Sequence, residues 1–184
     1  MATRPTLETK RLVLRPFELK DAADIQRLAG DRAVADTVLN IPHPYEDGMA
    51  EEWISSHQEN FNEDKGVTFA VISKEGGHLM GAISLMGISR RFSRAELGYW
   101  IGKPYWNQGF CTEAGETVLK YGFEEMGLNR IFASHFSRNP ASGRVMAKLG
   151  MQHEGCLKQH IRRWDRYEDM VYCGILADEW KGRA

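Results

Sequence analysis

The chain has 184 residues, of which 42% are hydrophobic and 27% charged, a length that suits a single globular domain over residues 1–184 and a composition unlike that of a disordered chain. It holds no run of about 20 apolar residues, the length a membrane-crossing helix needs. Lys and Arg number 24 against 25 Asp and Glu, so no long-range positive field gathers nucleic acid or an acidic membrane surface, and neither is expected as a partner.

The three cysteines, Cys111, Cys156 and Cys173, are widely spaced and form no C-x-x-C pair. That argues against a disulfide framework and a thiolate zinc site, and reads as reduced thiols of a cytoplasmic protein. Residues 1–10 are polar and lack the apolar core of a secretory signal.

In chain order, 11–15 alternate charged and apolar residues before Pro16, the mark of a half-solvated strand near a sheet edge. Asp21 can cap a helix through Leu28 with Gly30 just past its end. Met49, Trp53, His57 and Phe61 recur every four residues, with Ile54 widening the stripe of a longer helix that Gly66 ends. Residues 67–72 and 79–88 flank the turn 74–77 as a hairpin, and 94–101 read as another strand. A helix opens at Gly109, carries Glu113 and Glu116 early, where they suit its dipole, and runs to Gly127. After a strand over 130–135, Asn139-Pro140 punctuates a helix that closes at Leu149-Gly150. The tail, 151–159 and 167–176, is strand-like around a polar bend over 162–166. The order implies an α/β or α+β fold with one mixed sheet and no internal repeat.

Tyr105-Trp106-Asn107-Gln108-Gly109-Phe110-Cys111-Thr112 lead from a strand into a helix N-terminus. Such a junction presents free N–H groups and the positive end of the helix dipole, enough to hold a pyrophosphate without a lysine. Alone it reads rather as an ordinary loop whose glycine permits the turn, since neither common phosphate-binding glycine spacing is present. No H-E-x-x-H or carboxylate cluster calls for a metal.

Three blocks occur in order and spacing: Glu96-Leu97-Gly98-Tyr99-Trp100-Ile101, the junction from Trp106 to Ala114, and Asn139-Pro140-Ala141-Ser142 closing with Lys148-Leu149-Gly150-Met151. Together with the opening Thr9-Lys10-Arg11-Leu12-Val13-Leu14-Arg15-Pro16-Phe17, they resemble the GNAT acetyltransferases, nearest to the ribosomal-protein N-acetyltransferase (RimJ/RimL) group. The resemblance implies a mixed, mostly antiparallel sheet of about seven strands, flanked by about four helices and splayed between its fourth and fifth strands. There the pantetheine arm of acetyl-CoA would lie like an added strand. It further implies that backbone groups of Gly98, Tyr99, Trp100 and Ile101 bond that arm, that the amides of Gln108, Gly109, Phe110, Cys111 and Thr112 receive the pyrophosphate, and that Asn139 and Ser142 reach the pantetheine and thiol end.

Three positions depart from the wider superfamily pattern: Trp106, usual in the RimJ/RimL group, stands where a long polar residue is expected, Cys111 where Gly or Ala is, and Met146 where many members carry a tyrosine general acid. Ser142 then becomes the candidate donor to the departing thiolate, or simply bonds its own helix end. Glu96 is the candidate base for the attacking ammonium, or a strand residue paired with Arg90, Arg91 or Arg94. His135 and His57 read as structural or lining residues. A covalent intermediate on Cys111 finds no histidine in its motif. Trp53, Tyr99, Trp100 and Trp106 either wall an acceptor channel or belong to the core. Arg138, Arg144 and Lys148 either meet the 3′-phosphate of CoA or stay solvated.

The expectation is therefore an acetyl-CoA-dependent N-acetyltransferase, monomeric or homodimeric, acting on a protein N-terminal α-amine. A small amine (polyamine, amino acid or antibiotic) is the alternative acceptor, and a catalytically silent acyl-CoA-binding module the alternative class.

Overall fold

The structure, a computed structural model, describes residues 3–180; Met1 and Ala2 of the polar opening lie outside the described residues. Eight strands form one sheet: β1 (Leu7–Glu8), β2 (Leu12–Arg15), β3 (Gly66–Ser73), β4 (Leu79–Ser89), β5 (Arg94–Ile101), β6 (Arg130–Phe136), β7 (Gln152–Arg163) and β8 (Arg166–Leu176). Their spatial order is β1-β2-β3-β4-β5-β6-β8-β7. The described helices are α1 (Ala22–Ala29), α2 (Arg32–Ala35), α3 (Met49–Asn62), α4 (Phe110–Lys120) and α5 (Pro140–Lys148). Among the described residues no helix is long and apolar enough to cross a membrane.

The pairings are antiparallel except β5 with β6, which run parallel through only Arg94↔Arg130, Ala95↔Ile131 and Glu96↔Phe132. Beyond Glu96, β5 stays with β4 as far as Gly81↔Ile101, while β6 stays with β8 along its whole length to Phe136↔Met170. The sheet therefore forks between the strands expected as fourth and fifth. The count rises to eight because Leu7–Glu8 pairs with Val13 and Leu14 ahead of the strand expected first.

Alternation sorts the side chains into two cores. Phe69, Leu85, Leu97, Ile131 and Ala133 pack under α4 and α5 with Val118, Leu119 and Met146. Ala70, Ile72 and Ala82 face the other way, against Ile25 and Leu28 of α1 and Ile54 of α3. Where the chain enters α1, the Arg15 guanidinium makes a two-pronged bond to Asp21, Nη1 to Oδ2 at 2.7 Å and Nη2 to Oδ1 at 2.8 Å.

Some local expectations change. Gly127 and Gly150 adopt the left-handed conformation at φ +66° and +85°, but Gly30 is right-handed at φ −71°. Space explains its glycine, since a Cβ there would lie 2.4 Å from the Gln26 carbonyl oxygen. The helix expected to reach Gly127 leaves α geometry at Tyr121 and widens through Tyr121–Glu125, where Gly122 fits against Ile131 and Leu85. The charged 162–166 bend is instead strand up to Arg163↔Arg166, so that Trp164 and Asp165 alone make the turn. Charged side chains suit an exposed edge hairpin as well as a loop, which is why composition misplaces this boundary.

His57 lies in the α1/α3 core, 4% exposed, edge-on to Trp53 with ring centroids 4.4 Å apart and beside Phe17 at 5.6 Å. Neither ring nitrogen has a protein partner. Burial, reinforced by the Arg4 charge, pushes its pKa down to about 4. The unfolded chain, titrating near ~6.5, takes up this proton before the native state does, so stability falls as pH drops from about 6.5 to about 4. The full shift corresponds to roughly 3 kcal/mol. Urea unfolding of wild type and His57→Leu across this window should show a shallower loss in the variant; parallel pH dependences would place the ring in a solvated setting.

Candidate active site

The fork opens into a cleft of about 1070 Å³ bounded by β5, β6, α5, the α4 N-terminus and the segment between α2 and α3. Its wall along β5 follows from strand geometry. In an antiparallel pair, successive residues turn their main-chain groups to alternate sides. Gly102 N–H bonds the Met80 carbonyl at 2.8 Å in register with Gly81↔Ile101, so Gly98 and Trp100 turn their N–H and C=O groups toward β4. Those of Tyr99 and Ile101 face the gap. Of the four residues expected to bond a ligand through their backbone, two are thus oriented to do so, and the Ile101 carbonyl already accepts Trp106 Nε1–H at 2.6 Å. Gly98 lines the cleft without a side chain, and a Cβ there would lie 2.4 Å from Met86 Cε.

Side chains alternate in the complementary sense. Glu96 and Trp100 point to the α1/α3 face with Met86 and Ala82, their β4 partners. Tyr99 points to the α4/α5 face. Glu96 is the last residue of β5 paired to β6, and Ser134 Oγ donates to its Oε1 at 2.9 Å across the opening. The expected alternative, a strand ion pair, is not formed: Arg90 binds Asp64, while Arg91 lies over Phe92 and Arg94 over Phe92 and Phe132. One carboxylate oxygen at the fork is held by a hydroxyl, and Glu96 lines the cleft.

On the opposite wall, Asn139 caps α5 as its sequence announces, Oδ1 accepting from Ser142 N–H at 3.4 Å. Its Nδ2 donates to the Thr37 carbonyl at 3.4 Å. With the helix end served by Asn139, the Ser142 hydroxyl is released from capping and meets the Tyr99 hydroxyl at 2.9 Å. Met146, one turn further along α5, is buried at 1% exposure and offers no donor. His135 lines the cleft with Nδ1 on the Phe136 carbonyl at 2.8 Å.

At the start of α4, Asn107 and Gly109 take left-handed conformations at φ +61° and +80°, which turn the chain so that Phe110, Cys111 and Thr112 open the helix with N–H groups lacking intrahelical partners. Gly109, Phe110, Cys111 and Thr112 line the cleft; Gln108 does not. The Gln108 side chain bonds the Pro104 carbonyl at 3.0 Å, and its own carbonyl accepts from Arg11 Nη1 at 3.1 Å. Arg11 also pairs with Glu113 at 2.6 Å and lies over the Phe110 ring at 4.3 Å. Hydrogen bonds from Thr9 and Arg11, with the Arg11 charge, outweigh burial and hold the Glu113 carboxyl below its usual range. This cation beside the helix start was missed from sequence, where Arg11 is only one residue of an alternating strand.

The segment after α2 forms the remaining wall, lined by Val38, Ile41 and Tyr45 with Trp53 of α3. Trp53, Tyr99, Trp100 and Trp106 all reach the cleft. An ion network clamps the segment. Arg138 holds Glu168 through Nε at 2.8 and 2.9 Å and Asp36 through Nη1 at 3.0 Å, Arg166 holds the same two carboxylates, and Arg163 bonds the Ala35 and Ile41 carbonyls. Arg138 is thereby committed to structure, correcting its candidacy for a coenzyme phosphate; Arg144 and Lys148 do line the cleft.

Residues 11–152 match the acetyltransferase (GNAT) domain family. The chain is 31% identical over 176 residues to the uncharacterised N-acetyltransferase YoaA of Bacillus subtilis, covering 95% of this chain and 99% of that protein. It is 25% identical over 113 residues to the ribosomal protein uS5-alanine N-acetyltransferase of Escherichia coli, covering 61% and 58%. Among solved structures, a GNAT-family acetyltransferase from Bacillus anthracis superposes with a TM-score of 0.82 at 29% identity, covering 95% of this chain and 99% of that one.

Cys111 is the one thiol in the cleft wall, and burial pushes it up to about 12, leaving almost no thiolate at neutral pH. Iodoacetamide at pH 7 should label the exposed Cys156 and spare Cys111 in peptide mapping, and Cys111→Ala should retain activity. Rapid labelling of Cys111 with loss of activity would instead mark it as a nucleophile.

Proposed function

The chain belongs to the GNAT acetyltransferase family, and on that premise we propose that this N-acetyltransferase moves the acetyl group of acetyl-CoA directly to the α-amine of a protein N-terminus. The observation that carries this reading is the fork itself, with unpaired main-chain groups on β5, a carboxylate at its apex and a hydroxyl on its far wall. The pantetheine arm adds along β5 against the Tyr99 and Ile101 main chain. The pyrophosphate sits on the first-turn N–H groups of α4, with Arg11 alongside.

The acceptor amine approaches from the α1/α3 face, where Glu96 takes its proton through the oxygen that Ser134 leaves open. An α-amine, with a reference pKa near ~7.7–8.0, gives up that proton far more readily than a lysine at about 10.4. The nitrogen lone pair attacks the thioester carbonyl carbon, the C–S bond breaks as the tetrahedral adduct collapses, and the electron pair stays on sulfur as a thiolate that accepts a hydrogen bond from Ser142 and takes up the second proton, shed by the nitrogen as the neutral amide forms. Holding amine and thioester together in one cleft supplies much of the rate.

The acceptor wall supports a singly charged amine attached to an apolar group. Glu52 and Glu96 are the carboxylates lining the cleft, beside aliphatic and aromatic side chains and the neutral polar Thr37, Asn40 and Ser56. A polyamine would bring more positive charges than these two carboxylates can pair, at a desolvation cost. The ribosomal acetyltransferase among the relatives, named for an alanine N-terminus, is in line with such an acceptor.

Incubating the protein with acetyl-CoA, N-terminal peptides and small amines, read by mass spectrometry and thiol release, should give a gain of one acetyl group on peptides with a small or apolar first residue. Acetylation of polyamines alone would overturn the acceptor, and CoA binding without acceptor-dependent thiol release would overturn catalysis. Glu96→Gln should lower kcat by roughly 10²-fold or more while leaving KM for acetyl-CoA near wild type; an unchanged kcat would remove Glu96 as the base.

A further inference from the structure

The hydroxyls of Tyr99 and Ser142 meet across the cleft from β5 to α5, Oη to Oγ at 2.9 Å, and Tyr99 Oη also lies 3.1 Å from the Ser142 carbonyl oxygen. Two protons serve these three oxygens, and the carbonyl can only accept. In one arrangement Tyr99 donates to the carbonyl, and the 2.9 Å contact is then a hydrogen bond only if Ser142 donates to Tyr99, turning its proton away from the gap. In the other, Tyr99 donates to Ser142 Oγ and the serine proton is left to point into the gap. The second arrangement keeps the Oη–Oγ bond while letting Ser142 meet a negative charge developing there, and a hydrogen bond received at Oγ strengthens the one that Oγ–H gives.

We infer that Tyr99 is a positioning residue for acetyl transfer, its phenol orienting and polarising the Ser142 hydroxyl toward the departing sulfur. The phenol is suited to this task because it keeps its proton: burial, with the neighbouring Cys111, holds Tyr99 well above the usual tyrosine range. It therefore acts by donating a hydrogen bond and transfers no proton itself. No neighbour on α5 substitutes for it, since Asn139 is spent on the cap and on Thr37 and Met146 has no donor. The inference rests on the reading of Ser142 given above.

Because Tyr99→Phe deletes one oxygen and keeps the ring, its effect on turnover can be separated from packing. The expected result is a kcat lower by roughly five- to tenfold, the scale of one lost hydrogen bond, with KM for acetyl-CoA and calorimetric CoA affinity within about twofold of wild type. Ser142→Ala should lose at least as much, and Tyr99→Phe added to Ser142→Ala should lower kcat no further, because the two hydroxyls act in series. 3-Fluorotyrosine at position 99, a stronger donor of the same shape, should restore kcat, which a packing role would not require. Full kcat in Tyr99→Phe beside an impaired Ser142→Ala overturns Tyr99 alone, as does an equal fold-loss from Tyr99→Phe in both backgrounds. Full kcat in Ser142→Ala overturns the role of Ser142 and the inference built on it.

Discussion

A strand cannot pair with two diverging neighbours, and β5 resolves the conflict in favour of β4. Three residue pairs join it to β6 before β6 leaves with β8, and the main-chain groups of Tyr99 and Ile101 face a gap. A buried donor or acceptor without a partner costs about 1–3 kcal/mol, so the gap must hold water or a ligand that reproduces strand pairing. The other parts of the site sit where this divergence puts them. Glu96 stands at the apex because it is the last paired residue, Ser134 reaches it because β6 has only begun to separate, and α5 overlies the opening because it follows β6 directly.

The two faces of β5 divide the chemistry. The period-2 alternation of the strand places the carboxylate on the α1/α3 side, where an acceptor enters, and the phenol on the α4/α5 side, where the helix N-terminus and Ser142 lie. Proton removal from the amine and stabilisation of the leaving sulfur are thus assigned to opposite surfaces of one strand. The charges between Asp36, Arg138, Arg166 and Glu168 hold the acceptor wall from outside the cleft. Satisfied among themselves, they do not line the cleft.

Much of the fold is legible from local signals. The Asn139-Pro140 start and Gly150 stop frame α5, the alternation around Leu12 and Leu14 marks β2, and residues 94–101 coincide with β5, because each signal reflects chemistry within a few residues. What stays hidden depends on partners far along the chain. Tyr99 and Ser142 are 43 residues apart, and Arg11 and Glu113 are 102 apart. The point at which β5 and β6 part is a property of the whole sheet. The Tyr99 phenol was partly accessible, since alternation along Leu97, Tyr99 and Ile101 places it with the core side chains of the α5 face; what alternation lacks is the identity of the residue opposite. Gly30 shows the reverse error, a glycine whose position suggests backbone freedom and whose cause is contact with Gln26.

The claim beneath all of this is that the main chain of β5 is a strand edge awaiting an extended ligand. Residue-resolved amide hydrogen exchange with and without coenzyme A tests it most directly. The account predicts new protection at Tyr99 and Ile101 together with the first-turn amides Phe110 to Thr112, and little change at Gly98 and Trp100, which are already bonded to β4. Unchanged exchange at Tyr99 and Ile101 when coenzyme A is saturating would contradict it.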